Sequence, residues 1–158
     1  LDLGCGTGLV ASALASVVET KESIGVDITQ EMLGVAASKN LYNQLILGDA
    51  EDALREVEGQ FELITAIDLF AYLGDLKETL SLVSSRLVPN GFFIYTHEQA
   101  NEGAIKLRPS GRFAHNTDHL QKIAASAGLK VINNQPTALR YDRGEEVQGF
   151  ICVLSAQP

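Results

Sequence analysis

The sequence predicts a doubly wound α/β fold: a seven-stranded, mostly parallel sheet with the last strand antiparallel and helices on both faces. Three observations predict it. Apolar, β-rich runs alternate with helical patterns along the chain. Two of the runs, FELITAI and GFFIYTH, are nearly continuous in apolar residues, as strands buried on both faces should be. The last two runs are separated only by the turn region YDRGEE, so they should pair antiparallel as a hairpin at the sheet edge. Six strands are then parallel, and the 147–154 run inserts beside the fifth.

The elements follow in order. LDL opens the chain as a strand, and LVASALASVVE carries small and apolar residues at helical spacing. SIGVDI (23–28) is the second strand, and QEMLGVAASK follows Thr29, a good N-cap. QLILG (44–48) leads into the helix AEDALREV, and FELITAI (61–67) into LKETLSLVSSRL. Asp75 precedes that helix and Glu78 lies three residues on, a capping-box-like start. GFFIYTH (91–97) precedes one long irregular stretch, 98–116, of a length that is usually functional or mobile. HLQKIAASAG then forms the last helix, with Gly128 as its stop, before KVINN (130–134) and VQGFICVL (147–154).

Composition bounds the function. A chain of 158 residues suits one domain, taken as 1–158. The formal charge of −8 argues against a nucleic-acid partner, because phosphate binding needs clustered cations. Cys5 and Cys152 lie too far apart in sequence to suggest a metal pair or a disulfide scaffold, so no metal is expected and a reducing cytoplasm is the simplest setting. No signal peptide is visible, and no run reaches ~18 apolar residues, so no membrane span is expected. The first residue is Leu and LDLG reads as the end of a strand, so the N-terminal edge is expected to be missing.

The chemistry begins at Asp2-Leu3-Gly4-Cys5-Gly6-Thr7-Gly8, after a strand and before a helix. Glycines here permit positive φ and close approach of a ligand to the backbone. The helix start behind them offers free N–H groups. A bare Gly-x-Gly can be a tight turn and nothing more. A dinucleotide fingerprint needs G-x-G-x-x-G, and the place of its third glycine is Leu9. Gly8 gives G-x-G-x-G instead.

That spacing after Asp2 resembles motif I of the class I S-adenosylmethionine-dependent methyltransferases, with their Rossmann-like fold. The resemblance implies S-adenosyl-L-methionine as cofactor, S-adenosyl-L-homocysteine as product, and Asp2, Gly4, Cys5, Gly6 and Gly8 at the cofactor. Asp27 ends the second strand, where a carboxylate can accept from both ribose hydroxyls and would repel a 2′-phosphate; a helix-favouring acid is the bland alternative. Asp49-Ala50 ends the third strand, where the family commonly faces the adenine amino group and a ring nitrogen; the alternative is a cap. Ile28 and Met32 can pack on the adenine or in the core. AIDLFAYLGDL resembles the segment after the family's fourth strand. It matches at Asp68 and Asp75, with Tyr72 where histidine is frequent, and implies that backbone around Ala66, Ile67 and Asp68 lines the methionine half. The resemblance covers most of the chain through position 97 and is weak for substrate.

Residues 97–116 hold His97, Glu98, Lys106, Arg108, Arg112 and His115, a cationic cluster in an acidic chain. This substrate-side insertion resembles methyltransferases fused behind tetratricopeptide repeats, which implies an upstream helical or repeat segment as partner. Arg108 and Arg112, with Tyr72, are candidates for holding substrate, and a solvated loop with paired charges is the alternative. The favoured reaction is in-line methyl transfer to a small molecule. A base is needed only if the acceptor must lose a proton, and the candidates are His97, Glu98, His115 and Tyr72. Two rival functions stand beside it: a nicotinamide-dependent oxidoreductase, and a non-catalytic cofactor-binding module of a larger protein.

Overall fold

The computed structural model describes residues 1–142 and 144–158. Its main sheet has the order β3-β2-β1-β4-β5-β9-β8. The strands are β1 (Asp2–Leu3), β2 (Ile24–Asp27), β3 (Gln44–Leu47), β4 (Phe61–Ala66), β5 (Leu87–Glu98), β8 (Leu129–Asp142) and β9 (Glu145–Ala156). β1 to β5 pair in parallel, and β9 runs antiparallel between β5 and β8. The expected topology is therefore the observed one. The helices are α1 (Leu9–Leu14), α2 (Gln30–Ser38), α3 (Ala50–Glu56), α4 (Lys77–Arg86) and α5 (Thr117–Ser126). Leu3, Ile64, Phe93 and Leu154 on the strands and Leu80 and Leu120 on the helices are all within 1% of full burial and form one core.

Several local expectations change. α1 stops at Leu14 because the following residues bury no apolar face: Val17 and Val18 are exposed. Thr29 sits at the N-cap of α2 without a side-chain bond, and Asp27 takes its N–H instead. Asp75 does cap the start of α4 by accepting from Lys77 N at 3.0 Å, but Glu78 turns to Arg55, so no capping box closes. Gly128 ends the α5 region at φ +81, as its stop requires.

The 98–116 stretch is not irregular throughout. It contains a small hairpin, β6 (Ile105–Leu107) with β7 (Phe113–His115). Each strand has three residues, too few to show an alternating pattern in sequence. The final hairpin is longer than its apolar runs, because pairing with β9 carries β8 past the buried part of the sheet. Arg143, within the YDRGEE stretch of the sequence, lies outside the described residues. A register shift between Ala138 and Arg140 re-aims the strand there. At the facing Gly149 a Cβ would collide with the His97 carbonyl and the Leu139 side chain. Among the described residues no helix is long and apolar enough to cross a membrane.

Candidate active site

The carboxyl ends of β1, β2 and β3 lie along one edge, where open α/β sheets bind ligands. Gly4, Gly6 and Gly8 have φ of +66, +53 and +77. A Cβ on Gly4 would press Leu69, and one on Gly8 would press Tyr42, so both glycines are held from within the fold. Gly6 differs: nothing lies within 4 Å of where its Cβ would be. Its bare backbone faces open space.

Asp27 is fixed beside it. Oδ2 accepts from Gly6 N at 2.9 Å and Oδ1 from Thr29 N at 2.9 Å. Each carboxylate oxygen keeps lone-pair capacity for a further donor. Ile28 is 74% exposed and Met32 43%, so neither is a core residue. Asp49 caps α3 through Glu51 N at 2.8 Å yet stays exposed, while Ala50 is buried behind it.

Asp2 and Cys5 are buried. Asp2 accepts from Tyr42 Oη at 2.6 Å and Thr65 Oγ1 at 2.7 Å. Burial outweighs these two bonds and holds its pKa above the usual carboxylate value. Its side chain braces the turn from below, and burial pushes the Cys5 thiol up to about 12.

After β4, Asp68 adopts φ +57 and its N–H donates to Thr96 Oγ1 at 2.8 Å, which locks the end of β4 to β5. A short 3₁₀ turn (Phe70–Tyr72) follows, and Tyr72 is 58% exposed. Among the four candidate bases, Tyr72 alone is exposed. His97, Glu98 and His115 are buried, because β5 stays paired with β9 through Glu98 and β7 packs over its end. All three side chains are thus enclosed by the protein. His97 stacks on Phe150 at 5.4 Å and donates from Nδ1 to the Glu98 carbonyl. His115 donates from Nε2 to the Gly74 carbonyl at 2.9 Å.

Burial lowers the His97 pKa to about 4 and lowers that of His115 as well. An unfolded histidine titrates near ~6.5. Above that pH both states are neutral at His97. Below it only the unfolded chain takes up the proton, so stability falls as pH falls from ~6.5 towards 4. At pH ~5 the loss from His97 should be about 2 kcal/mol. Urea denaturation of wild type and His97→Phe across this range checks it; equal slopes for the two would refute the assignment.

Glu98 is 1% exposed and held from both sides: Arg108 Nε lies 2.9 Å from Oε2, and Arg140 pairs with Oε1. Arg140 also reaches Asp68 at 3.0 Å. Arg108 pairs with Glu98 and donates to the Gln99 carbonyl, while Arg112 lies apart from it against Tyr72. Arg140 has no forewarning in sequence. It lies in a polar hairpin, and only the β5-β9-β8 order brings it, paired with Val147, within reach of Glu98. Among the described residues there is no cluster of three or more metal-ligating side chains.

Known proteins resemble this chain in sequence and in fold. Residues 1–91 match the family model described as "Methyltransferase domain". Yeast mitochondrial ubiquinone biosynthesis O-methyltransferase is 28% identical over 137 residues, 77% of this chain and 42% of that one. A putative methyltransferase of Bacillus subtilis, YqeM, is 31% identical over 161 residues, 92% of this chain and 64% of that one. The chain thus spans less than two thirds of either relative. Among solved structures, an S-adenosylmethionine-dependent methyltransferase of Methanosarcina mazei superposes with TM-score 0.76 at 16% identity, covering 99% of this chain and 91% of that one. Magnesium protoporphyrin IX methyltransferase of Synechocystis PCC 6803, solved with bound S-adenosylmethionine, gives 0.73 at 18% identity, covering 99% and 68%. With the glycine turn and the strand-end acids, these matches place the chain in the class I S-adenosylmethionine-dependent methyltransferase family.

Proposed function

We propose that residues 1–158 form the catalytic domain of an enzyme that moves a methyl group from S-adenosylmethionine to a small molecule, releasing S-adenosylhomocysteine. One observation carries this reading. The open Gly6 backbone lies beside an Asp27 carboxylate already oriented by two N–H groups. The surrounding residues fit the cofactor. Asp27 takes the ribose hydroxyls, Ile28 and Met32 offer exposed apolar faces for the adenine, and Asp49 with the Ala50 N–H meets its edge. Gly4, Cys5, Gly6 and Gly8, braced by Asp2, and the backbone of Ile67 and Asp68 line the rest. When bound, the cofactor supplies a sulfonium methyl that is electrophilic without further activation. The chain's task is to align the acceptor, and such proximity is worth ~7 kcal/mol or more.

The yeast relative, named for ubiquinone biosynthesis, supports a small-molecule acceptor. The KLRPSGRFAHN stretch supports the subgroup fused behind tetratricopeptide repeats, with an upstream helical or repeat segment as neighbour. Two free buried thiols suit a reducing cytoplasm.

Calorimetry with S-adenosylmethionine, S-adenosylhomocysteine and NADH tests the reading. The first two should bind and NADH should not. Gly6→Ala should cost ~1–2 kcal/mol of stability, since its φ is left-handed. It should also weaken S-adenosylhomocysteine at least ~tenfold, because the new methyl enters the ligand's space. Unchanged affinity in Gly6→Ala would remove the cofactor from this turn.

A further inference from the structure

The hairpin turn between β6 and β7 meets the segment after β4 at a cluster of charged groups. Arg140 bridges Glu98 and Asp68, and Arg108 takes the other Glu98 oxygen. These four groups answer one another. Arg112 stands apart and forms no ion pair among the described residues. Its Nη2 donates to the Tyr72 hydroxyl at 3.3 Å, and its guanidinium carbon lies 5.7 Å from the centre of the Tyr72 ring. Both contacts are with a neutral group. The carboxylates of Asp68 and Asp142 act on it only through space.

Arg112 is not a loose surface side chain. Its turn is closed by Arg108 N to Arg112 O at 2.8 Å and Gly111 N to Arg108 O at 2.9 Å. The hairpin behind it is docked on the segment after β4: His115 bonds the Gly74 carbonyl, and the Phe113 ring lies against Gly74. The fold therefore spends a built hairpin on holding a guanidinium over an exposed tyrosine. This lies beyond the carboxyl end of β4, beside Asp68. A guanidinium is a planar fork of donors that matches a carboxylate, and an exposed aromatic ring takes a flat apolar body.

We propose that the methyl acceptor is a small planar organic acid, its carboxylate held by Arg112 and its body against the exposed Tyr72 ring. This rests on the methyltransferase reading above. Arg108 and Arg140 together balance the charges of Glu98 and Asp68, which leaves the Arg112 guanidinium outside that set of ion pairs.

Benzoate and its neutral counterpart benzamide are the probes, titrated into protein saturated with S-adenosylhomocysteine. Calorimetry and the Arg112 side-chain NMR signal are the readouts. Benzoate should bind saturably and shift that signal, and benzamide should bind at least ~tenfold more weakly. Arg112→Gln should lose ~tenfold for benzoate while S-adenosylhomocysteine affinity holds, and Arg112→Lys should fall between. Benzoate that fails to bind, matches benzamide, or binds Arg112→Gln as well as wild type overturns the acceptor proposal alone. Failure of S-adenosylhomocysteine to bind removes the methyltransferase reading and this proposal with it.

Discussion

Arg140→Met should destabilise the protein by about 3 kcal/mol, read as a lower urea midpoint at unchanged slope. The reason is the carboxylate it leaves behind. Glu98 is 1% exposed, and Arg140, 18% exposed, is one of its two cationic partners. Methionine keeps most of the arginine stem but none of its donors. One Glu98 oxygen is then buried without a partner, and breaking a buried pair from one side costs ~3–5 kcal/mol. The surviving Arg108 contact places the loss at the low end of that range. A second substitution separates this from lost packing. Glu98→Leu in the Arg140→Met background removes the stranded charge, so the double variant should be more stable than the sum of the two single losses by at least ~1 kcal/mol. Strict additivity, or a single-variant loss below ~1 kcal/mol, would show that the pair is solvated and structurally idle.

This ion pair also marks where sequence reading stops. The βα alternation, the strand-end acids and the glycine turn are local patterns, and each survives in the fold. G-x-G-x-G sits in one turn, and Asp27 and Asp49 end successive strands. The charged cluster after β4 is built from distant pieces. Glu98, Arg108 and Arg140 meet only because β9 inserts between β5 and β8, and no spacing in the chain announces that meeting. The burial of the histidines is hidden for a related reason. His97 and His115 carry the right chemistry for a base, but pairing of β5 with β9 and docking of β7 bury both. Three-residue strands such as those of the 105–115 hairpin hold too few alternations to register as a pattern.

Asp27→Ala should weaken S-adenosylhomocysteine by ~2–4 kcal/mol, a loss of ~30-fold to ~1000-fold. Two effects add. The first is the charge-assisted bonds that both ribose hydroxyls should lose if Asp27 holds them. The second is visible without ligand: the Asp27 carboxylate fastens Gly6 N and Thr29 N, each at 2.9 Å, and alanine frees both. The turn that should meet the ligand then has to be ordered at the expense of binding. Asp27→Asn tests the division between them. An amide keeps one acceptor, but its NH2 group must face one of the two backbone N–H donors, so one fastening fails and one ribose hydroxyl loses its anionic partner. Asn should therefore recover less than half of the lost binding energy. Asp49→Ala should cost less than Asp27→Ala, because Asp49 is exposed and its one bond within the chain is the Glu51 cap. Calorimetry gives the affinities, and thermal melts run beside it give the stability of each variant. If Asp27→Ala lowers the melting temperature but leaves S-adenosylhomocysteine affinity within about threefold of wild type, Asp27 serves the turn and not the ribose.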